Sequence, residues 1–306
     1  MRVLVTGAAG FLGRYLLAEL SAVGHEVTAL IHRAPLPETS KMRSVRVLEG
    51  DIRDAGTWRD TVSEVDCVCH FAAYIPHDYE DHTYADACLQ TNSIATLEMA
   101  QTASKARDCR FIYASAGNAY AFGEGAADEL NLLYPADRST YYLASKMLGE
   151  LYVEHLRRVA GLEAVCFRIS TPYGFGMAEK SAVAHFMKRA NEGSPLQVLD
   201  GGAPTYDFVY AGDVARLAAA AVSSGLSGVY NVGSGRAHSV IELAQAVAET
   251  YPERKISIEI KPPSNSTRTG FGALSVKKAA ETWGYRPLSL REGLAEYRKR
   301  MDKEPS

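Results

Sequence analysis

Short apolar runs alternate with helical patterns over the first 170 residues of the chain. The runs that predict strands lie near 2–6, 26–32, 44–48, 65–71, 109–114 and 162–169. The helical patterns lie near 11–22, 84–106 and 140–158, with a shorter one around Trp58. This alternation predicts an α/β protein with a parallel sheet and helices on both of its faces. After residue 170, glycines separate shorter elements, among them an amphipathic helix at 240–250 and an exposed loop at 261–272.

A glycine-rich turn follows the first predicted strand. Gly7, Gly10 and Gly13 stand between that strand and the start of a helix at Phe11 and Leu12. In a dinucleotide-binding turn, one glycine permits the tight turn, one lets a pyrophosphate approach the backbone, and one lets helix and strand pack closely. The N–H groups at the helix start then face the anionic pyrophosphate. The turn therefore predicts a dinucleotide site, and a plain glycine-rich turn is the alternative.

Tyr142 and Lys146 lie four residues apart in the helix predicted at 140–158. Positions i and i+4 share one face of a helix, so the phenol and the ammonium point to the same place. A nearby cation favours the phenolate and is expected to lower the tyrosine pKa from its ordinary value of about 10. Tyr142 is thus a candidate acid and base for moving a proton on and off a sugar or alcohol oxygen. A solvated surface pair with the same spacing is the alternative.

Further segments match one family pattern, in order along the chain. They are Asp51-Ile52, Val68-Cys69-His70-Phe71-Ala72-Ala73, Asn92, Phe111-Ile112-Tyr113-Ala114-Ser115, Arg168-Ile169-Ser170-Thr171-Pro172-Tyr173-Gly174 and Asp207-Phe208-Val209-Tyr210-Ala211-Gly212-Asp213-Val214-Ala215. With the glycine turn and the Tyr142/Lys146 pair, they resemble the extended short-chain dehydrogenase/reductase superfamily. That superfamily contains NAD(P)-dependent nucleotide-sugar epimerases, dehydratases and ketoreductases. The resemblance covers nearly the whole chain.

This resemblance implies a Rossmann fold, which is a doubly wound parallel sheet, and a smaller C-terminal substrate-binding domain. We expect the dinucleotide-binding domain at 1–170, with 212–232 returning to it, and mainly the substrate-binding domain at 171–306. The resemblance implies cofactor contacts at Gly7, Gly10, Phe11, Leu12, Gly13, His32, Arg33, Asp51, Ile52, Ala72, Ala73, Tyr142, Lys146 and Thr171.

The end of the second predicted strand bears on which cofactor is bound. NAD-binding relatives have an acid there that bonds the ribose hydroxyls, whereas this chain has Ile31 near that position. His32 and Arg33 follow, and a guanidinium pairs with a phosphate through two hydrogen bonds. We therefore favour NADP over NAD, with Arg33 on the 2′-phosphate. The alternative is that Arg33 is a solvated loop residue.

The resemblance places a catalytic hydroxyl on the fifth strand, four residues before Tyr120. That position is Ala116, and Ser115 comes one residue earlier. Either Ser115 turns into the site or the position holds no hydroxyl. We predict catalytic roles for Tyr142, Lys146 and Ser115.

The resemblance also implies substrate contacts, at Asn118, Thr171, Tyr206 and Arg268. Thr171 stands where relatives often have asparagine, and Tyr206 where they commonly have an arginine that clamps the nucleotide diphosphate. Arg268 matches a second family arginine and is the expected anchor for the diphosphate, or else an exposed loop charge. Gly117-Asn118 stands where dehydratases have an Asp-Glu pair.

Composition limits the classes of partner. The chain of 306 residues can bury a large core, and its net charge of −3 provides no basic field for nucleic acid or an anionic membrane. We expect no secretory signal, and the most apolar stretch, 214–226, is too short to span a bilayer. The five cysteines are expected to be buried free thiols in a reducing cytoplasm. A zinc site at Cys67 and Cys69 is disfavoured because no second ligand pair follows, so we predict no metal.

These observations predict an enzyme that moves a hydride between a nicotinamide cofactor and a secondary alcohol or ketone carbon of a nucleotide-activated sugar. The expected reactions are 4-keto-sugar reduction and 4-epimerisation, with dehydration third. The alternatives are a reductase of a non-nucleotide carbonyl substrate and a catalytically idle dinucleotide-binding sensor, which only Ala116 favours. The resemblance further implies a homodimer through the helices at 84–106 and 140–158.

Overall fold

The computed structural model describes residues 1–36, 44–134, 140–263 and 270–303 of the chain. Within these ranges the chain divides into two compact units. The first unit contains Met1–Ala121, Leu132–Ile169 and Val214–Tyr230. The second contains Phe122–Asn131, Ser170–Asp213 and the residues from Asn231 onward.

The elements follow one another along the chain as two sets, strands and helices. The strands are β1 (Arg2–Thr6), β2 (Glu26–Ile31), β3 (Val45–Glu49), β4 (Cys67–His70), β5 (Arg110–Ala116), β6 (Ala164–Ile169), β7 (Thr171–Tyr173), β8 (Leu196–Val198), β9 (Thr205–Tyr210), β10 (Gly228–Val232), β11 (Ala237–Ser239) and β12 (Ile258–Ile260). The helices are α1 (Phe11–Ala22), α2 (Ala55–Glu64), α3 (Ala85–Cys88), α4 (Ala95–Lys105), α5 (Tyr141–Val159), α6 (Ala182–Asn191), α7 (Ala211–Val222), α8 (Val240–Glu249), α9 (Lys277–Trp283) and α10 (Leu290–Lys303).

A large sheet organises the first unit. Across the described residues its strand order is β10-β6-β5-β4-β1-β2-β3. The strands from β1 to β6 pair in parallel, and β1 lies between β2 and β4. The order 3-2-1-4-5-6 is that of the Rossmann fold, and the point where it reverses, between β1 and β4, is where such sheets bind their ligands. The predicted Rossmann sheet is confirmed.

The strands of this sheet are buried because helices cover both faces. Val3, Leu4 and Val5 of β1 have no exposed surface, and every residue of β4, β5 and β6 is buried. A parallel sheet covered in this way requires nearly continuous apolar runs, which is the pattern that the sequence shows. Only β3, at the sheet edge, is largely exposed.

Large side chains from three helices meet the sheet in one core cluster. Trp58 of α2, Met99 of α4 and Val153 of α5 pack there with Phe111 and Tyr113 of β5. The Trp58 indole also donates a 2.9 Å hydrogen bond to the Ile52 carbonyl oxygen, so its polar group is satisfied. Burial of each such side chain contributes about 1.5–3 kcal/mol to folding.

The second unit is built from smaller pieces. Its strands form a sheet in the order β11-β9-β7 and a pair, β12-β8. The α8 helix begins with a capping box, in which Ser239 and Glu242 each bind the other's backbone N–H. The buried carboxylate of Asp207 on β9 accepts hydrogen bonds from the backbone N–H groups of Ser234 and Leu274, at 2.6 and 3.0 Å. This carboxylate therefore fixes two loops to the central strand of the unit.

The helix predicted over 84–106 differs from the observed one in its centre. The structure has α3, then a π-helical segment at Leu89–Ile94, then α4. A π segment inserts a residue into the helical ladder and is frequent at functional sites. Apolar periodicity does not reveal it, because the faces on either side still point to the core. In the part of the chain that the structure describes, we find no helix long and apolar enough to cross a membrane.

Candidate functional site

The glycine turn between β1 and α1 has the geometry of a phosphate cradle. Gly7 has a φ of +66°, and a Cβ there would lie 2.6 Å from the backbone nitrogen of Ala72. A Cβ on Gly13 would overlap the Gly7 carbonyl oxygen, so α1 packs against the turn only because Gly13 lacks a side chain. Among the described residues, no side chain caps the start of α1 and no acid lies in its first turn. The helix start thus suits an anion.

A cavity of about 490 Å³ opens beside this turn, at the carboxyl ends of β1, β2 and β4. It is lined by Thr6, Gly7, Ala9, Gly10, Leu30, Ile31, His32, Arg33, Ala34, Gly50, Asp51, Ile52, Arg53, Ala72, Ala73, Tyr74, Ala87 and Thr91. Most of the residues predicted to hold the cofactor are therefore together. Phe11, Leu12 and Gly13 are in α1 and are not among these lining residues. The glycine cradle and the position at the switch point fit a dinucleotide.

Asp51 has a partner that the sequence analysis missed. Arg53 binds both of its carboxylate oxygens, the shortest contact being 2.6 Å, and the His32 ring lies 3.7 Å away. The hydrogen bonds from Arg53 are the main cause that lowers the pKa of Asp51 to about 2. Asp51 is therefore a carboxylate whose charge is already paired at the rim of the cavity. Arg53 lies two residues after Asp51 in the sequence, and this spacing was the signal that could have predicted the ion pair.

Lys146 is buried in α5, where its environment opposes a positive charge. Its ammonium lies 4.2 Å from the centroid of the Tyr113 ring, a cation–π arrangement. Burial lowers the pKa of Lys146 to about 7. The same lysine is a minor cause, after burial, that lowers the pKa of buried His70 to about 3.

Tyr142 lies one helical turn before Lys146 and is half-buried. Its ring meets the ring of Tyr79 edge to face, with 5.7 Å between centroids. Burial raises the pKa of Tyr142, and the charge of an ionised Tyr79 would raise it further. The predicted lowering of this pKa is therefore wrong for the structure. The reason is that burial disfavours the charged phenolate, and burial is the largest effect on this pKa.

Asn92 in the π segment connects the loop after β4 to α5. Its side-chain oxygen accepts a 2.7 Å hydrogen bond from the Tyr74 N–H, and its amide nitrogen donates to the Tyr74 carbonyl at 3.0 Å and to the Ser145 hydroxyl at 2.9 Å. Ser145 in turn donates to the Tyr142 carbonyl oxygen at 2.7 Å. The position of Tyr142 therefore depends on Asn92.

The hydroxyl of Ser115, which is predicted to be catalytic, takes part in a buried polar network. Its hydroxyl donates a 2.5 Å hydrogen bond to the buried carboxylate of Glu150, which also binds the guanidinium of Arg168 at 2.6 Å. Arg168 extends the network by donating to the Tyr120 hydroxyl at 2.7 Å. The Ser115 hydroxyl binds Glu150 because a buried carboxylate is stable only when several hydrogen-bond donors satisfy it. Glu150 lies four residues after Lys146 on α5, and this spacing was a signal that the sequence analysis did not use.

Ala116 itself packs in an apolar cluster with Ala119 and Leu143. The position that the family pattern assigns to a catalytic hydroxyl therefore has none. Asn118, predicted to contact substrate, lies in a short 3₁₀ turn at Gly117–Ala119 that directly follows β5.

Two other predicted substrate residues lie in the second unit. Thr171 and Tyr206 line a cavity of about 520 Å³ within that unit, with Phe186, Phe208, Lys180 and other side chains. The Tyr206 ring also packs on Phe271, with 5.4 Å between centroids. Arg268, the predicted diphosphate anchor, lies outside the described residues.

The cysteines of β4 are both buried, and burial raises the pKa of the Cys67 thiol well above its ordinary value. A thiolate, the form that binds zinc, is therefore unfavourable there. In the described ranges, no group of three or more His, Cys, Asp or Glu side chains could hold a metal ion.

This fold and this site define a dinucleotide-binding protein of the Rossmann class whose helix α5 carries a tyrosine–lysine pair. A sequence model of the NAD-dependent epimerase/dehydratase family matches residues 3–233, and the chain belongs to that family. The family resemblance inferred from the sequence is thus confirmed.

Individual relatives include both kinds of enzyme in the family name. A dTDP-glucose 4,6-dehydratase of Streptomyces niveus is 28% identical over 269 residues, which are 82% of this chain and 77% of the relative. The solved UDP-glucose 4-epimerase of Thermotoga maritima with UDP-glucose is 26% identical, with a TM-score of 0.86 over 99% of both chains. The UDP-glucose 4-epimerase of Thermus thermophilus in complex with NAD is 28% identical, with a TM-score of 0.80 over 97% of this chain and 99% of that one.

The buried His70 generates a prediction about stability. Thr6 and Thr96 lie 2.8 Å from its Nδ1 and Nε2, and Thr96 donates its own proton to the Asn92 carbonyl oxygen. Thr96 therefore accepts from Nε2–H, which leaves His70 neutral in one tautomer. Because its pKa is about 3 in the folded state, below the ordinary 6.5, only the unfolded state takes up a proton as the pH falls from 6.5 towards 3. Stability is expected to fall over that window by up to about 1.4 kcal/mol per pH unit.

Urea unfolding of the wild type and of His70→Gln at pH 7.5 and pH 5 measures this contribution, because other titrating groups cancel in the comparison. The wild type should lose about 2 kcal/mol more than the variant between the two pH values. Equal losses in the two proteins would contradict the assignment.

Proposed function

We propose that the protein is an oxidoreductase that transfers a hydride at a secondary alcohol or ketone carbon of a nucleotide-activated sugar, as a 4-keto-sugar reductase or a 4-epimerase. The observation that supports this most directly is the Tyr142/Lys146 pair on one face of α5. Asn92 joins this helix to Tyr74, which lines the dinucleotide cavity.

Tyr142 is the proposed proton donor and acceptor. Because burial raises its pKa, it is a neutral phenol at neutral pH and donates its proton to the oxygen of a ketone that is being reduced. Lys146, with a pKa of about 7, is a cation for part of the time near neutrality, and its charge favours the phenolate when an alcohol is oxidised. A bound nicotinamide supplies or accepts the hydride.

The cavity of the second unit is the proposed site for the nucleotide part of the substrate. Its wall contains Tyr206, Phe208 and Phe186, and aromatic faces of this kind stack with bases. Lys180 also lines the cavity and is a candidate partner for the diphosphate. The UDP-glucose bound by the Thermotoga maritima relative supports this substrate class. Thr171 and Arg268 stay predicted substrate contacts.

The 3₁₀ turn at Gly117–Ala119 argues against dehydration. A dehydratase would need an acid pair where this turn has Gly117 and Asn118. Gly117 has no functional side chain, and the Asn118 amide cannot donate or accept a proton as a carboxyl group does. Reduction and epimerisation transfer a proton and a hydride and do not require such an acid pair.

A catalytically idle dinucleotide-binding sensor is the second candidate, and one observation favours it. Position 116 has no hydroxyl, and the hydroxyl of Ser115 is bound to Glu150. A panel of UDP- and dTDP-sugars and their 4-keto derivatives, assayed with NAD(H) and NADP(H), separates the two functions. Tight dinucleotide binding without any turnover would identify a sensor.

A homodimer is the proposed assembly, through the helices from Ala85 to Lys105 and from Tyr141 to Val159. Leu89 and Leu151 on these helices are 42% and 61% exposed, whereas Met99 is fully buried in the core. A self-complementary helical interface would cover the two exposed leucines.

The five buried free cysteines support a proposed location in the reducing cytoplasm.

Leu151→Lys should convert such a dimer to a monomer, because a charge replaces apolar surface at the interface. Sedimentation equilibrium at micromolar concentration measures the change. Val23→Lys is the matched control, since Val23 is 62% exposed but lies at the end of α1. A monomeric wild type would refute the dimer without affecting the catalytic proposal.

Tyr142→Phe keeps the ring but removes the proton that the proposed mechanism transfers. Turnover should fall by at least about 10²-fold, the usual span for a general acid–base group. Dinucleotide affinity, measured by titration, should be nearly unchanged. Turnover within a few-fold of the wild type would exclude Tyr142 as the proton donor.

Lys146→Met removes the charge and preserves much of the stem. The phenolate of Tyr142 then loses its neighbouring cation, so the pKa of Tyr142 rises. In a plot of alcohol-oxidation rate against pH, the rise in rate that follows phenolate formation therefore moves to higher pH. We also expect weaker dinucleotide binding. Lys105→Met, on an exposed lysine of α4, is the control and should leave the profile unchanged. An unshifted profile in Lys146→Met would mean that Lys146 does not tune Tyr142.

NADP is the proposed cofactor because Ile31, His32 and Arg33 line the cavity where an NAD-binding site has its ribose-binding acid. NADPH should therefore bind more tightly than NADH, by roughly 10- to 100-fold if Arg33 makes charge-assisted hydrogen bonds to the 2′-phosphate. Arg33→Ala should remove this ratio, and Arg59→Ala, an exposed arginine of α2, should keep it. Equal affinities in the wild type, or tighter NADH, would remove the role of Arg33.

A further inference from the structure

Tyr142 has an aromatic neighbour on the side of the loop that follows β4. The rings of Tyr79 and Tyr142 meet edge to face, with 74° between their planes. This arrangement is the favoured one for an aromatic pair. On β5, Ala116 provides no hydroxyl and the hydroxyl of Ser115 is bound to Glu150. Tyr79 therefore provides a specific contact to the Tyr142 ring in the part of the chain that the structure describes.

The backbone around Tyr79 is held by side chains on both sides. Asp78 accepts a 3.0 Å hydrogen bond from the Glu80 N–H, and Asp81 accepts a 2.8 Å hydrogen bond from the Thr83 N–H. At the start of the loop, Asn92 binds both backbone groups of Tyr74. The same amide binds Ser145 in the helix of Tyr142. The loop of Tyr79 and the helix of Tyr142 thus share one anchor.

We propose that Tyr79 is a positioning residue for proton transfer, and that its ring holds the Tyr142 phenol in one orientation. The inference rests on the proposed role of Tyr142. A general acid works only when its proton points at the reacting oxygen, and small displacements of such a group reduce the rate strongly.

Tyr79 also affects how Tyr142 ionises. Burial is the main cause that raises the pKa of Tyr142, and Tyr79 and Cys88 of α3 add to it when they are charged. Tyr113 of β5 also interacts with Tyr142, and Lys146 lies one turn further along α5. Removal of the Tyr79 ring lets water reach the phenol, so the pKa of Tyr142 falls while Cys88, Tyr113 and Lys146 remain.

Nitration with tetranitromethane tests the contact without any substrate, because the reagent attacks phenolates and each modified tyrosine is identified by peptide mass spectrometry. Tyr79→Ala should raise the nitration rate of Tyr142 at pH 8 by about 3- to 10-fold, the factor that corresponds to an aromatic pair. Tyr79→Phe keeps the ring and should leave the rate within about twofold of the wild type. Tyr84→Ala is the matched control, since the Tyr84 ring pairs with Tyr74.

Buried Tyr120 and Tyr251 serve as internal reporters and should stay unmodified, which excludes general unfolding. If Tyr79→Ala is poorly folded, Tyr79→Leu replaces it and should give the same increase. An unchanged nitration rate of Tyr142 in a folded Tyr79 variant would overturn the proposal.

Turnover with UDP-glucose or with whichever sugar of the panel is active provides the second measurement. Tyr79→Ala should lower kcat by roughly 10-fold with KM nearly unchanged, and move the pH limb of alcohol oxidation to lower pH. A rise in KM alone would show that Tyr79 only binds substrate and would overturn the positioning role. If the wild type is inactive on every sugar, the proposed function fails, whereas nitration still decides whether Tyr79 controls Tyr142.

Discussion

The buried amide of Asn92 is the constraint on which the rest of the candidate site depends. Its side chain binds the backbone of Tyr74 through both of its polar atoms and also binds Ser145 on α5. The backbone carbonyl oxygen of Asn92 accepts a hydrogen bond from the Thr96 hydroxyl, which also lies 2.8 Å from the His70 ring of β4. One residue therefore joins the loop after β4, the π segment and α5. Without these bonds several buried polar groups would lose partners, at a cost of about 1–3 kcal/mol each.

The second feature of the site is a buried ion pair, whose hydrogen bonds are explained by the cost of burying charge. Glu150 and Arg168 form an ion pair that is almost fully buried, and Ser115 and Tyr120 supply further hydrogen bonds to it. Such a pair is stable only when its remaining donors and acceptors are satisfied. Ser115 is one of these partners. Lys146 forms no such ion pair with the residues that the structure describes, and its burial lowers its pKa to about 7 although the charge of Glu150 opposes this change.

The candidate site therefore differs from the family pattern at two points that affect chemistry. On β5 the hydroxyl position is Ala116, and at the end of β2 the position of the ribose-binding acid is Ile31. The tyrosine–lysine pair and the glycine turn are retained. We propose that Tyr79 orients the acid and that Arg33 selects the cofactor, because the groups that the family pattern has at these two positions are absent from this chain.

Sequence patterns were enough to predict the Rossmann sheet, the glycine turn and the placement of Tyr142 and Lys146 on one helix. These features are local, because strand burial, a tight turn and i,i+4 spacing follow from neighbouring residues. The partners of Ser115, the direction of the pKa shift of Tyr142 and its contact with Tyr79 became visible only in the packed fold. Ser115 and Glu150 are 35 residues apart, and Tyr79 and Tyr142 are on different elements, so no local period relates them. The pKa of a buried group depends on how much water its neighbours exclude, which is a property of the packed fold.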